Sequence, residues 1–273
     1  MNQNSLRSAW RQVTSPEVVE GVKRGLLIGV AAAVVVLPPA RLATARWNPP
    51  AAAHGAPVTA PAAPTLPRFA AFGAVEAPPD VRRIADWAAD SRDPRGLDFI
   101  VLDKRRAHVY VFDREARLLR DTPVLLGAAV GDDTAEGVGQ KALHEVRPEE
   151  RTTPAGRFIG ESGRNIHGED VFWVDYDAAV SMHRVRELEA SERRLERLAS
   201  ATAEDNRISY GCINMPVEFF DEVMVPTFKG RRAVVYVLPE TRTLAKVFPA
   251  IYDVAQRHGL QPSTKDLTTA RND

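Results

Sequence analysis

The chain has 273 residues, with 36 basic and 36 acidic side chains and a single cysteine. A net charge of zero argues against a broadly basic nucleic-acid binder. One cysteine excludes an intrachain disulfide and a multi-cysteine metal cluster. The length and a hydrophobic fraction of 44% are typical of a globular protein with one or two domains.

The first segment carries an export signal. Residues 25–37 form an uncharged apolar run, preceded by Lys23 and Arg24 and followed by the small-residue site Ala43-Thr44-Ala45. The run is shorter than the roughly 20 residues of a spanning helix, so we interpret residues 1–45 as a signal peptide. The long basic leader leaves an N-terminal membrane anchor as the alternative. Both predict an exported, periplasmic domain, held at the inner membrane by residues 25–40 if they are not cleaved.

Removing this leader changes the charge balance. Residues 1–45 hold five of the basic and two of the acidic side chains, so residues 46–273 carry 31 and 34, a net charge of −3. Residues 46–79 are rich in proline and alanine, a composition that favours extended polyproline II conformations over a packed core. We therefore predict a linker over 46–79 that holds the domain away from the membrane.

Strands dominate the first part of the remaining sequence, and helices follow. A short helical lead-in covers 80–96. The predicted strands are 97–102 and 107–112 around a polar turn at 103–106, then 117–120, 124–130, 157–160, 171–174, 178–182 and 232–238, with a charged loop at 131–152. The predicted helices are 185–201, 216–225 and 241–258, followed by a polar tail. This order predicts an α+β fold with a mainly antiparallel sheet.

The only cysteine lies in the most informative segment, Ile208-Ser-Tyr-Gly-Cys-Ile-Asn-Met-Pro216. A lone cysteine is most often a small buried hydrophobic residue. Here Gly211 permits a tight turn directly before Cys212, and an unpaired thiol in an oxidising compartment is a hazard unless it is buried or used. A nucleophilic cysteine needs a base that helps to form the thiolate.

Histidine is the expected base, and the chain has six. His54 falls in the linker, His108 in a strand, His144 in the charged loop and His258 near the end of the last predicted helix. By position we favour His183, where a strand emerges from the core, over His167 in a turn, while a purely structural role for either stays open. Ligand spacings typical of a metal site are absent from the sequence, so neither a metal nor a cofactor is expected.

These residues resemble a known family. The segment Ser209-Tyr-Gly-Cys-Ile-Asn214 is similar to the signature of the L,D-transpeptidases with a YkuD-type catalytic domain, which is Ser/Thr-His-Gly-Cys-x-Asn/Arg after an upstream histidine. Upstream, Thr152-Thr-Pro-Ala-Gly-Arg-Phe158 resembles the Thr-Pro-x-Gly-x-Phe segment of the family. The resemblance covers residues 97–240, which would form the catalytic domain, with a C-terminal helix and tail over 241–273.

The resemblance implies a role for each matched residue. Cys212 would be the nucleophile and His183 the general acid and base, while Ser209, Tyr210, Gly211 and Asn214 would shape the site. Backbone N–H groups near Gly211 and Cys212 would stabilise the oxyanion. The substrates would be peptidoglycan stem peptides, which the enzyme would join by 3-3 cross-links. Hydrolysis by an L,D-carboxypeptidase and a non-catalytic peptidoglycan-binding module are the alternatives.

Three departures from the family pattern bear on these expectations. Tyr210 stands where the motif has a second histidine, and Arg184 follows the candidate base where the family usually has glycine. Residues 184–208 form a longer spacer than the family has, and its charged composition is typical of a solvated surface insertion. The functional hypothesis for this insertion is a lid that limits which acceptor reaches Cys212.

Overall fold

The computed structural model describes residues 66–187 and 189–260. The predicted signal or anchor, most of the linker and the polar tail lie outside this part of the chain. Among the described residues, none of the helices combines the length and the apolar character needed to cross a membrane.

Ten strands and five helices make up the described part. The strands are β1 (Phe99–Asp103), β2 (His108–Phe112), β3 (Leu118–Pro123), β4 (Leu126–Gly127), β5 (Gly156–Arg164), β6 (Asp170–Asp175), β7 (Val180–Arg184), β8 (Arg207–Ser209), β9 (Ile213–Met215) and β10 (Arg232–Val237). The helices are α1 (Pro79–Ser91), α2 (Arg194–Leu198), α3 (217–228), α4 (Leu244–Val247) and α5 (Val254–Arg257). Helix α3 consists of Val217–Phe219, a π-helical stretch at Phe220–Met224, and Val225–Phe228.

Eight strands form one sheet in the order β3-β2-β1-β10-β5-β6-β7-β9. Only the pairs β1·β10 and β7·β9 are parallel, and the other neighbours are antiparallel. Strands β4 and β8 pair separately in a small parallel sheet. The α+β fold with a mainly antiparallel sheet that the element order predicts is therefore confirmed.

The centre of the sheet is covered on both faces. Strand β1 is buried along its whole length, because its side chains alternate between two clusters. Phe99 and Val101 pack under α1 with Trp87, whereas Ile100 and Leu102 pack on the opposite face in the cluster that includes α3. Two covered faces explain why β1 is a continuous apolar run without polar alternation.

Several predicted boundaries are wrong. The strand expected over 124–130 is only the two-residue β4, and the helix expected over 241–258 is broken into α4 and α5. Thr243 and Asp253 each cap one of these short helices through their side chains. The motif strands β8 and β9 were not predicted, because each has only three residues.

The end of the predicted linker packs against the domain. Ala70 and Phe72 are buried, and the Phe72 ring meets Phe112 edge-on at a centroid distance of 5.3 Å. Backbone N–H groups of Arg68 and Ala70 donate to carboxylates on α1. The prediction of an unpacked linker up to residue 79 is therefore wrong for these residues, because their few apolar side chains pack beside α1.

The insertion between His183 and the motif is only partly helical. It contains a 3₁₀ turn at Ala190–Glu192, α2, and a second 3₁₀ turn at Ala203–Asn206. Leu198 is buried against Leu125 and Val185, so this side of the insertion is not solvated. Burial of Leu198 fixes α2 against the end of β7.

Candidate active site

Two short parallel strands bring the candidate nucleophile and base together. In the β7·β9 pair, His183 lies beside Asn214 and Met182 beside Ile213, so Cys212 immediately precedes β9. Alternate residues of a strand share one face, which places Ser181 and His183 on the same side of β7 while Met182 enters the core. This register puts the end of β7 that carries His183 beside the strand that Cys212 precedes.

Cys212 is a free, partly exposed thiol. Its Sγ lies 3.5 Å from the carbonyl oxygen of Ala179 and 3.8 Å from Ser181 Oγ. Burial disfavours the thiolate, but the influence of His183, with smaller contributions from Ser181, outweighs it and lowers the pKa of the thiol. A lowered pKa with partial exposure is what a nucleophilic cysteine requires.

The His183 imidazole is oriented by a backbone carbonyl. Nδ1 lies 2.8 Å from the Arg184 carbonyl oxygen, which can only accept, so Nδ1 carries a proton and donates it. Nε2 is then left as the acceptor of the neutral ring. Burial lowers the pKa of His183, but the interaction with Cys212 outweighs it, and the net effect is to raise that pKa. The Arg184 carbonyl thus sets the orientation of the imidazole, and the raised pKa reflects its interaction with the Cys212 thiol.

The turn before Cys212 is held by Ser209 and Gly211. Ser209 is buried; its hydroxyl donates to the Cys212 carbonyl at 2.6 Å and accepts from the Gly211 N–H at 3.1 Å. Gly211 has φ +126°, and a Cβ there would come within 2.7 Å of the Thr152 carbonyl oxygen, so only glycine fits. Because the Gly211 N–H is used inside the turn, the Cys212 N–H is the remaining candidate for an oxyanion contact.

Thr153 fastens this turn to the neighbouring loop. Its fully buried hydroxyl donates to the Gly211 carbonyl at 2.9 Å and accepts from the Gly127 N–H at 3.0 Å. The Thr153 carbonyl oxygen in turn accepts from Lys104 Nζ at 2.8 Å. The Thr-Pro-Ala-Gly segment therefore holds the cysteine turn in place through the Thr153 hydroxyl.

Lys104 belongs to a buried ionic cluster. Its Nζ lies 2.9 Å from Asp132 Oδ1 and 3.4 Å from Glu240 Oε1, and Arg207 forms a further ion pair with Glu240. Burial raises the pKa of Asp132, but hydrogen bonds from Thr241, Lys104 and the Glu240 backbone N–H outweigh it and lower that pKa. The sequence placed Lys104 in an ordinary polar turn, and its burial was not predicted.

Asn214 connects the dyad to the insertion. It is buried, and its Nδ2 lies 3.3 Å from His183 Nε2 and 3.4 Å from the Cys212 carbonyl oxygen. Its Oδ1 accepts from Arg194 Nη1 on α2 at 2.6 Å. Arg194 was not predicted as a site residue, because a charged helix in a spacer gives no signal of what it contacts.

Tyr210 lies beside the loop that precedes the Thr-Pro segment. The Arg151 guanidinium stacks over its ring, 4.2 Å from the centroid, and the same guanidinium donates to the Val146 carbonyl oxygen at 3.2 Å. Tyr210 therefore ties the motif to the charged loop through its ring, a contact that an imidazole in its place would make less well.

The other described histidines lie away from Cys212. His167, the second candidate base, is exposed in the β5–β6 turn, where its N–H donates to Asn165 Oδ1. His108 pairs with Asp121 and His258 with Asp90, and His144 is exposed in the charged loop. His54 lies outside the described residues.

A cleft of about 380 Å³ opens beside the imidazole. It is bounded by the β5–β6 turn, the end of β7 and the start of α3, and its lining includes His183, Arg184, Glu169 and Val217. The Arg184 side chain is paired with Asp221 on α3. Arg184 thus lies along the cleft wall, and its carbonyl orients the imidazole.

The comparisons with known proteins give distant similarities only. No family model matches the chain, and no curated protein matches it. Similar solved structures include an Enterococcus faecium L,D-transpeptidase C442S mutant (18% identity, 52% of this chain and 49% of that chain, TM-score 0.30) and an L,D-transpeptidase from Mycobacterium smegmatis (14%, 52% and 58%, 0.32). Another is the helical cell shape determining protein Pgp2 (K307A mutant) from Campylobacter jejuni (12%, 67% and 61%, 0.36).

L,D-transpeptidases thus appear among the similar structures, and theirs is the family that the cysteine motif resembles. The chain spans about half the length of the first two structures it matches. TM-scores of 0.30–0.36 and identities of 12–18% are too low to transfer an activity. The function therefore has to be argued from the motif and from the geometry around Cys212.

Proposed function

We propose that the chain is a cysteine-dependent L,D-transpeptidase that acts on peptidoglycan stem peptides. The observation that carries the proposal is the partly exposed Cys212 thiol on the turn into β9, beside the end of β7 that carries His183. Nδ1 of His183 is held by the Arg184 carbonyl, and His183 lowers the pKa of the thiol against the opposing effect of burial. This is the arrangement of a thiol nucleophile with an oriented base. The motif around it resembles that of the family.

In the first half-reaction, Cys212 Sγ would attack the carbonyl carbon of the bond that holds the terminal D-amino acid. The thiol proton passes to His183 Nε2 as the carbon–sulfur bond forms. The oxyanion of the tetrahedral intermediate would face the Cys212 N–H. The carbon–nitrogen bond then breaks, His183 returns the proton to the leaving amine, and the D-amino acid departs, which leaves a thioester on Cys212.

In the second half-reaction, the side-chain amine of a diamino acid on another stem would attack the thioester carbonyl. His183 Nε2 accepts the proton of the amine, and the carbon–sulfur bond breaks to regenerate the thiol. The product is a 3-3 cross-link. Water in place of the amine would give the L,D-carboxypeptidase reaction, so the acceptor distinguishes the two activities.

The predicted export of the chain agrees with this substrate. We propose that residues 25–40 direct the protein to the periplasm, as a cleaved signal or as an inner-membrane anchor. The domain needs to be outside the cytoplasm to meet mature stem peptides. Cleavage by signal peptidase can be read from the N-terminal sequence of the protein purified from cells.

Intact-mass spectrometry after addition of a carbapenem tests the nucleophile. Because Cys212 is the only cysteine, one acyl adduct is expected on the parent protein and none on Cys212→Ala. Incubation with tetrapeptide muropeptides and a D-amino acid should then give exchange or dimers. A folded parent that forms no adduct and no exchange, yet binds sacculi, would replace the proposal by a non-catalytic peptidoglycan-binding module. Release of the D-amino acid without dimers would identify the carboxypeptidase.

A further inference from the structure

The insertion contributes one side chain to the environment of the dyad. Arg194, the first residue of α2, is largely buried, with 13% of its side chain exposed. Its Nη1 donates to Asn214 Oδ1 at 2.6 Å, and its Nε donates to Glu192 Oε2 at 2.6 Å. The guanidinium is therefore held between a carboxylate of the insertion and an amide of the cysteine motif.

The surrounding insertion makes this position rigid. Leu198, one turn further along α2, is buried against Leu125 and Val185. Arg197 donates to the Glu192 carbonyl at 2.8 Å and to the Asp205 carbonyl at 2.9 Å. Leu125 in turn exchanges two backbone hydrogen bonds with Asn214 of β9. The start of α2 is therefore held in place relative to β9, and the guanidinium reaches Asn214 from a fixed position.

The partners of Asn214 determine which way its amide points. A guanidinium has only donors, so the group that faces Arg194 is Oδ1. The Cys212 carbonyl can only accept, so the group that faces it, at 3.4 Å, is Nδ2. Both contacts require the same orientation, and that orientation presents Nδ2 to His183 Nε2 at 3.3 Å.

We propose that Arg194 is a positioning residue that fixes the amide of Asn214, so that a donor and not an acceptor faces Nε2 of His183. The inference rests on the proposed function of the Cys212–His183 dyad and adds a role for the insertion. An amide N–H opposite Nε2 stabilises its lone pair and opposes a proton there. A flipped amide would offer Oδ1, which would accept a hydrogen bond from a protonated Nε2.

This orientation matters most once the thioester has formed. Cys212 then carries no negative charge that could stabilise an imidazolium, and Nε2 must accept a proton from the incoming amine. A donor opposite Nε2 keeps its lone pair available for that step. The insertion thus acts through the dyad on the second half-reaction, a role separate from that of the lid that its sequence suggested.

The other charges near His183 are paired with one another. Arg184 pairs with Asp221, Arg186 with Glu169 and Arg164 with Asp170. Cys212 and Arg194, which is itself paired with Glu192, both act on the imidazole, and Arg194 opposes the effect of Cys212. The state of Nε2 therefore reports on Arg194 once the cysteine is removed.

The test is the state of the His183 nitrogens in the full-length chain labelled with ¹⁵N-histidine. Spectra are recorded at one near-neutral pH on a Cys212→Ala background, which removes the thiolate as the thioester does. The His183 signals are assigned by their loss in His183→Gln. With Arg194 present, we expect a protonated Nδ1 and an unprotonated Nε2. Arg194→Met should shift the Nε2 resonance toward its protonated value.

Matched variants separate positioning from general disturbance. Arg194→Lys keeps a donor and should restore most of the parent pattern, and Arg193→Met removes an exposed neighbouring guanidinium that pairs with Glu196 and should shift nothing. Asn214→Asp places an acceptor opposite Nε2 and should protonate it even if Arg194→Met fails to fold. The proposal is overturned if Nε2 is already protonated with Arg194 present, or if a folded Arg194→Met does not shift it. If Arg194→Met fails to fold, the proposal is overturned when Asn214→Asp does not shift Nε2. The spectra need no substrate, so a parent that forms no carbapenem adduct would refute the proposed function alone.

Discussion

One face of the main sheet is built differently at its two ends. One half lies under α1, the other carries the Cys212–His183 dyad, and the strand register shows that both halves belong to the same face. Val234 pairs with Ile159, Glu161 with Trp173, and Trp173 with Ser181. Paired residues share a face, and so do alternate residues of one strand. The face that α1 covers at β1 and β10 therefore continues across β5 and β6 to the Cys212–His183 dyad.

The α1 half is held by apolar contact. The Phe99 and Phe112 rings stack at a centroid distance of 4.6 Å, and Trp87 meets Tyr236 edge-on at 6.0 Å. The dyad half is held by directed hydrogen bonds from Ser209, Thr153 and Asn214. Burial of aromatic area supplies stability without fixing any one atom, whereas hydrogen bonds fix atoms at little net gain in stability. Substitutions in the two halves should therefore have separable effects.

The largest expected loss of stability is on the aromatic half. Phe99→Ala removes a buried ring (1% exposed) from the stack with Phe112 and should lower the free energy of unfolding by about 3–5 kcal/mol. Urea denaturation followed by Trp fluorescence measures it. The rate at which iodoacetamide alkylates Cys212 in the folded variant should stay within about twofold of the parent rate, because substitutions at distant sites act independently.

Leu119→Ala is the control for this substitution, because Leu119 is 41% exposed on the edge strand β3. It should change the free energy of unfolding by less than about 0.5 kcal/mol. If Phe99→Ala instead slows alkylation of Cys212 strongly while the fold persists, the aromatic half also positions the dyad, and the two halves of the face are not separable.

The second-largest loss of stability is expected at the buried ion pair between Lys104 and Asp132. Asp132→Asn leaves Lys104 with Glu240 as its remaining carboxylate and should cost about 3 kcal/mol at neutral pH. Because the folded-state pKa of Asp132 is lowered, its contribution is complete above its unfolded pKa near 3.9 and is lost as the pH falls toward the folded value.

Denaturant titrations of parent and Asp132→Asn at several pH values measure this loss. The difference between the two proteins should shrink below about pH 4. Asp133→Asn is the control, because that carboxylate is 83% exposed beside Arg242 and should contribute less than about 1 kcal/mol. A difference that grows on acidification would show that the carboxylate of Asp132 is not the group that is ionised in the folded state.

The apolar half and the dyad half also differ in how well the sequence predicts them. Runs such as Phe99–Asp103 and Arg232–Val237 alternate between two apolar clusters, and their length and β-branched content predict strands without any tertiary knowledge. The short strands β8 and β9 have no such pattern. They form because the turn at Gly211 and the partners Leu126 and His183 hold them in place.

Individual site residues show the same limit. The motif predicted Cys212 and the strand end predicted His183, since both depend on local sequence. Lys104 and Arg194 were missed, because each has an ordinary charged neighbourhood in sequence and acquires its role from partners 28 and 20 residues away. Long-range partners of single charged side chains leave no periodic signal.

Thr153→Val tests whether the hydrogen bonds of the dyad half position the nucleophile. It leaves the Gly211 carbonyl without its donor and the Gly127 N–H without its acceptor, which should cost about 2 kcal/mol of stability. The rate of carbapenem acylation should fall by roughly 10-fold, as for other supporting groups of a site. Thr153→Ser keeps the hydroxyl and should restore the rate. Equal rates in all three proteins would mean that the turn holds Cys212 without Thr153.

The smallest effect is expected at Tyr210, one of the three departures from the motif that the cysteine segment resembles. Its ring lies under the Arg151 guanidinium at 4.2 Å, a contact worth about 0.5–1 kcal/mol at a partly exposed position. Tyr210→Leu should lose this amount in denaturant unfolding, and Tyr210→Phe should lose little, because phenylalanine keeps the ring. If Tyr210→Phe loses as much stability as Tyr210→Leu, the hydroxyl and not the ring makes the contact. In that case Tyr210 belongs with the directed hydrogen bonds of the dyad half, and the charged loop is fixed as firmly as the cysteine turn.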